Sequence, residues 1–276
     1  MIKHTDLFVE AISEFKISAS YVELDKNSPE NVNDPHIHPE CEIYVNLSGD
    51  VSFMVEGKIY PVVSGNIIIS KPYEYHHCVY NSDGLHRHYW ILLSIPDDEK
   101  TKSLLSFILE KPRGANNLLA LPYEKEKEFL SSLKSIVNDD LDEIEKAAIT
   151  FKFLSLLKSA KPISDLKSYS NSNDISAAIN YIDEHFTEPS LRVEDVAEVC
   201  GLSVNTLERH FRKVLTISPI TYLKKKRLAL SARLLAEGKN VSECCELSGF
   251  SDYSYFISMF KKTYGVTPLK YKKQLS

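Results

Sequence analysis

Two stretches near the C-terminus repeat each other, and this internal repeat constrains the fold more than any other feature of the chain. Each copy has a helical pattern, a glycine where a tight turn is needed, and a second helical pattern, which is the order of a helix-turn-helix unit. Two such units in tandem can place one helix in each of two successive major grooves of DNA. The equivalent positions are Gly201 and Gly249, Phe211 and Phe260, Pro219 and Pro268, and Tyr222 and Tyr271.

Charge is distributed unevenly along the chain. Residues 1–171 carry a net charge of −8, whereas the segment from Cys200 to the end carries +9. A basic rear segment is typical of a surface that contacts a polyanion, although a solvated helical surface gives the same pattern. The two helix-turn-helix repeats favour DNA as the polyanion.

Composition restricts the compartment and the class of function. The five cysteines form no CxxC pair, which is typical of small buried residues in a reducing compartment. No apolar run approaches the roughly 20 residues of a membrane span, and the N-terminus lacks the pattern of a signal peptide. We therefore expect a cytoplasmic protein without a membrane partner. With no set of nucleophile, base and orienting group, and no phosphate-binding glycine loop, we expect no enzyme activity and no cofactor.

The sequence texture predicts an α+β chain of several domains. Residues 1–95 contain short β-rich runs separated by turn residues, which favour a barrel or jelly roll over a parallel sheet. Residues 96–160 have helical spacing and are predicted to form a dimerisation segment. The polar, Ser- and Asn-rich residues 161–173 indicate a linker, and residues 174–276 are predicted to form an all-α domain.

An apolar stripe recurs at three or four residues along the last helix of the dimerisation segment. Such a stripe packs either on its own domain or on a second copy of itself, and its width does not separate the two interpretations. A homodimer is the expected assembly. The stripe consists of Leu141, Ile144, Ala148, Phe151, Leu154 and Leu157.

The two helix-turn-helix units span about 192–214 and 240–263, and in each the second helix is predicted to read DNA. Ser203 is expected to cap the first reading helix, and Ser251 is expected to begin the second. A helix between the two units, residues 223–237, would fix the distance between the readers. The positions expected to contact DNA are Ser203, Asn205, Thr206, Glu208, Arg209 and Arg212 in the first unit, and Ser251, Tyr253, Ser254, Ser258, Lys261 and Lys262 in the second.

The same residues carry a family resemblance over about a hundred residues. Residues 174–276 resemble the DNA-binding domain of the AraC/XylS family of bacterial transcription regulators, in both turns, both readers and the connecting helix. The resemblance implies base reading at Asn205, Glu208, Arg209, Tyr253, Ser254 and Ser258. It also implies an effector-controlled activator that works with RNA polymerase. Thr216 and the pair Cys244–Cys245 depart from the family pattern, which has Gly and Ile-Ala there.

The N-terminal region carries a second resemblance. His36, His38, Glu42 and Gly49 have the spacing of the first cupin motif, and a degraded second motif supplies His76. Sensor domains of the AraC type resemble cupins and hold a small organic effector, such as a sugar or a related metabolite. The residues expected to line the effector pocket are His36, His38, Glu42, Tyr44, His76, His88 and Trp90.

The same histidines allow a different interpretation. Residues two apart on a strand share a face, so His36, His38, Glu42 and His76 could together hold a divalent metal ion. The chain would then be a metal-sensing regulator, or a cupin metalloenzyme fused to a DNA-binding domain. We expect a metal-free effector pocket, because polar groups among apolar walls also suit an organic ligand.

Overall fold

The computed structural model describes residues 2–9, 15–25, 36–96, 98–138, 140–163, 173–215 and 217–275. The chain divides into two compact units, one of Met1–Asp34 and His38–Tyr169, and the other of Pro35–Ile37 and Ser170–Ser276. The strands of the first unit are β1 (Ile2–Val9), β2 (Phe15–Asp25), β3 (Cys41–Ser48), β4 (Val51–Val55), β5 (Lys58–Val62), β6 (Ile67–Ser70), β7 (His76–Tyr80), β8 (Leu85–Ser94), β9 (Leu118–Ala120) and β10 (Lys161–Pro162). Its helices are α1 (Glu99–Leu104), α2 (Ser106–Leu109), α3 (Tyr123–Asn138) and α4 (Glu143–Lys158).

The strands of the first unit form two antiparallel sheets. The larger sheet has the order β1-β2-β8-β3-β6-β9-β10, and the smaller has the order β5-β4-β7. Strands adjacent in the sheets are often distant in the sequence, as in a jelly roll. The predicted β-barrel of cupin type with trailing helices is confirmed. The predicted linker starts within this fold, because Lys161–Pro162 pairs with β9.

Strand β3 separates two apolar cores by the alternation of its side chains. Cys41, Ile43 and Val45 pack with the helices on one face of the larger sheet, whereas Tyr44 packs with Phe53 towards the smaller sheet. Successive residues of a strand point to opposite faces, so Glu42 shares the face of Tyr44. The space between the sheets is therefore where the predicted site residues lie.

The apolar stripe of α4 is only partly used inside its own unit. Leu154 and Leu157 are buried, and Phe153 stacks on Phe129 of α3 at 5.4 Å between ring centroids. Ile144 is 81% exposed and Phe151 is 44% exposed, and Ala148 is exposed as well. The second half of the stripe therefore packs within its own unit and the first half stays at the surface, because the helix turns a neighbouring row, including Thr150 and Phe153, towards the sheet.

The described residues of the second unit from Asn173 onwards form helices. They are α5 (Asn173–His185), α6 (Val193–Val199), α7 (Val204–Leu215), α8 (Pro219–Ala236), α9 (Val241–Leu247), α10 (Tyr253–Tyr264) and α11 (Pro268–Leu275). The predicted all-α domain with two helix-turn-helix units is confirmed. Thr216, one of the departures from the family pattern, lies outside the described residues. None of the helices in the described ranges combines the length and the apolar character that a bilayer span requires.

Candidate functional site

Helices α6 and α7 form the first helix-turn-helix unit. Gly201 adopts a φ of +66°, and the amide of Leu202 donates to the carbonyl of Ala197 over 2.9 Å, which closes the turn. Ser203 caps α7, since its hydroxyl oxygen accepts from the amide of Thr206 at 3.2 Å. The Ser203 and Thr206 hydroxyls also lie 2.9 Å apart. These two predicted contact residues therefore shape the start of the reading helix.

Helices α9 and α10 form the second helix-turn-helix unit, which has the same kind of turn as the first. Gly249 has a φ of +83°, and the amide of Phe250 donates to the carbonyl of Cys245 over 3.1 Å. Asp252 caps α10 by accepting from the amide of Tyr255 at 2.9 Å. The prediction that Ser251 begins the reader is wrong by two residues, because the carboxylate of Asp252 takes the cap and the helix starts at Tyr253.

The two reading helices present equivalent stripes. Asn205, Arg209 and Arg212 lie four and then three residues apart, so they share one exposed face of α7. Forty-nine residues later, at the offset of the repeat, Ser254, Ser258 and Lys261 form the matching exposed face of α10. Each stripe ends in a basic residue. The two side chains before that residue are longer in α7, where they are Asn and Arg, than in α10, where both are Ser. Glu208, Tyr253 and Lys262 lie beside these stripes.

The exposed side chains of the stripes are not engaged elsewhere in the second unit. Within the described ranges, the side chains of Asn205, Arg209 and Ser258 form no hydrogen bond or ion pair. Asparagine and arginine can each form paired hydrogen bonds with the edge of one base, adenine and guanine respectively. Serine reaches less far and is less selective. The first stripe therefore has the chemistry for base reading, and the second has less of it.

Helix α8 joins the two helix-turn-helix units. It runs over Pro219–Ala236, starts at a Ser218 cap with proline in its first turn, and ends before Gly238. It therefore starts four residues earlier than the predicted connecting helix, residues 223–237, because the Ser-Pro pair is a strong start signal. Its 18 residues span about 27 Å at 1.5 Å per residue. A helix of this length with ten buried residues can hold two readers apart.

A histidine–carboxylate cluster lies between the two sheets of the first unit. The Oε2 atom of Glu42 lies 3.1 Å from Nε2 of His38 and 3.1 Å from Nε2 of His76. With His36, these residues offer four ligand atoms that all lie within 4.8 Å of one another. Burial lowers the pKa of His38, but hydrogen bonds to Glu40 and Glu42 outweigh this effect and raise the pKa to about 9.

An aromatic wall continues from this cluster into the barrel. The ring of Tyr44 stacks on that of His88 at 4.6 Å and contacts Phe53 at 5.3 Å between centroids. Nδ1 of His88 is buried without a hydrogen-bond partner in the described residues. Burial lowers the pKa of His88 to about 3, so its ring is neutral at physiological pH. Unpaired buried polar atoms are costly, and a bound ligand would satisfy them.

Trp90 marks the more open part of the same face. Along the sheet it stands between Ser20 of β2 and Tyr44 of β3. Ser18, Ser20 and Trp90 are half-buried, whereas Tyr44 and His88 are almost fully buried. The structure thus brings Glu42, Tyr44, His88 and Trp90 onto one face of the larger sheet, with His38 and His76 in contact with Glu42.

Two contributors to the space between the sheets are not among the predicted site residues. Strand β2 was not predicted, so Ser18 and Ser20 were not considered, although the alternation in Ile17-Ser-Ala-Ser is a strand signal. Cys78 was interpreted as a small buried residue, yet it lies on the β7 face of His76 and Tyr80. Burial raises the pKa of the Cys78 thiol to about 12, so it is a neutral hydrogen-bonding group there.

The donor set fits a metal ion chemically. Imidazole nitrogen and carboxylate oxygen are ligands of zinc, iron, nickel and manganese in proteins. Three histidines and one glutamate with ligand atoms this close could surround one divalent ion. The same atoms are also held together by hydrogen bonds through Glu42, so the geometry accommodates both interpretations made from the sequence.

Comparison with known proteins covers both units. A model of the AraC-like ligand binding domain matches residues 23–146, and a model of a helix-turn-helix domain matches residues 196–274. The uncharacterized HTH-type transcriptional regulator YdeC of Bacillus subtilis is 27% identical over 254 residues, which are 87% of this chain and 86% of YdeC. The HTH-type transcriptional activator RhaS of Mannheimia succiniciproducens is 24% identical over 256 residues, which are 89% of this chain and 91% of RhaS.

Partial relatives and solved structures extend the comparison. The HTH-type transcriptional regulator AdiY of Escherichia coli is 30% identical over 166 residues, covering 59% of this chain and 65% of AdiY. The crystal structure of ToxT from Vibrio cholerae covers 100% of this chain and 98% of its own, at 18% identity and a TM-score of 0.38.

Proposed function

The chain belongs to the AraC/XylS family of DNA-binding transcription regulators with a ligand-binding domain, and we propose that it is an activator whose helices α7 and α10 read adjacent major grooves. The observation that carries this proposal is the pair of exposed stripes at the offset of the repeat, Asn205–Arg212 and Ser254–Lys261. The relatives are named as regulators, in agreement with the expectation that the chain is not an enzyme. One partial match, AdaA of Bacillus subtilis, is a bifunctional activator and DNA repair enzyme.

The two readers have different tasks in this proposal. Arg209 and Asn205 recognise bases in the first groove, since their side chains can form paired hydrogen bonds with guanine and adenine. In the second groove, Ser254, Ser258 and Tyr253 contact the bases with less selectivity. Binding there depends more on contacts to the DNA backbone and on the shape of the DNA. Arg212, Lys261 and Lys262 bind phosphates, because basic groups at the ends of these helices neutralise the backbone without reading sequence.

A small organic effector controls the protein from the barrel. Its pocket is the interior face of His36, His38, Glu42, Tyr44, His76, His88 and Trp90. Aromatic surfaces beside neutral and charged hydrogen-bonding groups suit a hydroxylated metabolite such as a sugar. Binding would favour one arrangement of the DNA-binding units over another, and the difference in DNA affinity between the arrangements sets the response.

The exposed half of the α4 stripe supports a homodimer. Ile144, Ala148 and Phe151 share one face of the helix and leave it apolar. A contiguous apolar face on a helix surface is commonly covered by a partner. The proposed partner is a second copy of this chain, and the activator role adds RNA polymerase as a further partner.

Two sets of substitutions test the DNA-binding proposal. Arg209→Ala should weaken binding to the specific duplex by about 1–3 kcal/mol and relax the preference at one base position. Lys261→Ala with Lys262→Ala should weaken binding to all duplexes alike and reduce the salt dependence, because two phosphate contacts are lost. The measurement is a fluorescence-anisotropy titration of a selected and a random duplex at several salt concentrations.

The result that contradicts base reading by Arg209 is an equal loss of affinity on the selected and the random duplex. If the intact chain selects no sequence from a random pool, the regulator proposal itself fails.

A metal-sensing regulator is the second candidate, because four ligand atoms of suitable chemistry converge in the barrel. Protein purified without a histidine tag should then contain about one divalent ion per chain, and Glu42→Gln should lose most of it. Elemental analysis measures the ion, with His185→Gln, far from the barrel cluster in sequence, as the control. An ion content below about one tenth in wild-type protein refolded with zinc, nickel, iron and manganese excludes this candidate.

A further inference from the structure

The segment that follows helix α5 receives contacts from two other parts of the second unit. Helix α5 ends at His185, so its last carbonyl groups have no partner within the helix. The guanidinium of Arg227, in the middle of α8, donates from Nε to the Phe186 carbonyl over 2.7 Å and from a terminal nitrogen to the Glu188 carbonyl over 2.6 Å. A planar guanidinium can satisfy two such acceptors at once, and its positive charge suits a helix C-terminus.

A second group of contacts joins the same end of α5 to the first reader. The hydroxyl of Tyr222 donates to Oδ1 of Asp183 over 3.0 Å, and the ammonium of Lys226 lies 3.3 Å from the same oxygen. On its other side, the Tyr222 ring meets Phe211 of α7 edge to face, at 5.7 Å between centroids. Tyr222 and Phe211 are both fully buried, so this connection is rigid.

The turn of the second helix-turn-helix unit closely approaches the segment that follows α5. A Cβ atom on Gly249 would lie 2.8 Å from the carbonyl oxygen of Thr187 and 2.9 Å from that of Phe186. The glycine therefore allows the turn before α10 to touch the backbone that Arg227 holds. Residues 183–188, named the brace below, are thus tied to α7 through Tyr222, to the middle of α8 through Arg227, and to the entry of α10 through Gly249.

We propose that Arg227 is a positioning residue that, through the brace, fixes the separation and rotational phase of the two reading helices. In sequence, helix α8 alone connects the two helix-turn-helix units. Rotation of the second helix-turn-helix unit at the end of α8 would therefore alter the rotational phase of α10 relative to α7. The brace contacts α7 through Tyr222, the middle of α8 through Arg227, and the turn at Gly249. Together these three contacts oppose that rotation. The inference rests on the proposed two-groove binding and adds which contacts set its geometry.

The test measures spacing preference with the full chain. A duplex selected by wild-type protein from a random pool is remade with one base pair added or removed between its two contacted segments. Wild-type protein should lose about tenfold in affinity on each altered duplex, comparable to one mismatched base pair. Arg227→Gln should bind the original duplex more weakly and distinguish the three duplexes by less than about threefold.

Matched variants separate positioning from a loss of fold. Arg233→Gln alters another arginine of α8, whose ion pair is to Glu237 at the C-terminal cap of the same helix, and should keep the wild-type preference. Gly249→Ala should relax the preference like Arg227→Gln, whereas Gly201→Ala should not, because a Cβ at Gly201 meets no atom within 4 Å although its φ is also positive. Tyr222→Phe, which removes a single hydroxyl, repeats the test should Arg227→Gln fail to fold.

The outcomes distinguish this inference from the function on which it rests. If wild-type protein selects no duplex, the proposed function fails. If wild-type protein shows the tenfold preference, and the folded Arg227→Gln or Tyr222→Phe variant keeps it at lower affinity, then Arg227 only stabilises the unit and the positioning role is overturned.

Discussion

Two histidines of the same barrel are driven to opposite protonation states. Burial lowers the pKa of each, but only His38 has carboxylates at hydrogen-bond distance, and Glu40 and Glu42 raise its pKa to about 9. For His88, burial outweighs the more distant attraction of Glu42 and lowers the pKa to about 3. The pocket thus combines an ionic group with a neutral imidazole that can donate and accept hydrogen bonds.

The neutral state of His88 predicts loss of stability in acid. Between pH 6.5, the unperturbed pKa, and pH 3 the unfolded chain takes up a proton at His88 and the folded chain does not. The free energy of unfolding should therefore fall as the pH decreases through this window, by up to several kcal/mol at about 1.4 kcal/mol per pKa unit. His88→Phe, which keeps a ring against Tyr44 and cannot ionise, should flatten this decline.

Urea unfolding of wild-type protein and His88→Phe at pH 8, 6, 5 and 4 measures the effect. The difference between the two proteins at pH 8 serves as the control, since His88 is neutral there in both states. Parallel stability curves down to pH 4 would show that His88 is protonated in the folded protein.

Residue-scale features could be predicted where the signal is local. Ser203 was identified as a cap because serine before an amphipathic helix is a strong signal. The same reasoning chose Ser251 in the second unit, where Asp252 is an equally good cap and the structure selects it. The contacts of Glu42 with His38 and His76 could be predicted only from the cupin motif, since Glu42 and His76 stand 34 residues apart in sequence.

Among the elements, α4 illustrates how far periodicity extends. Its apolar residues predicted a helix correctly, but spacing alone did not tell which row faces the sheet. The structure buries Thr150, Phe153 and Leu157 and leaves Ile144 and Phe151 at the surface. A helix with apolar residues over most of its circumference has two possible buried faces, and only the neighbouring sheet decides between them.

The exposed row of α4 yields a prediction about assembly. Phe151→Glu places a charge in the proposed dimer contact and should raise the dimer dissociation constant by at least about tenfold, because an unpaired buried charge is costly. Lys152→Glu, one residue further and off the apolar row, is the matched control; it breaks only an exposed ion pair to Glu128. Sedimentation equilibrium of both variants measures the change. A wild-type monomer at tens of micromolar, or equal weakening by both variants, would contradict this interface.

At the scale of the whole molecule, the sequence predicted the second unit better than the first. The helix-turn-helix repeat is local and appears twice, so each copy supports the other. The barrel depends on pairing between distant segments, such as β2 with β8 and β6 with β9, which no short window contains. The short-strand texture was enough for the barrel class, but not for the strand order or for β2.

In the proposed complex, the two reading helices enter successive major grooves on one face of the duplex. Methylation protection of guanine N7 on a selected duplex measures this directly, because N7 lies in the major groove. The predicted result is two protected patches about 10 base pairs apart on the same face, with the patch of the first reader lost in Arg209→Ala. A single protected patch, or two patches on opposite faces of the duplex, would contradict it.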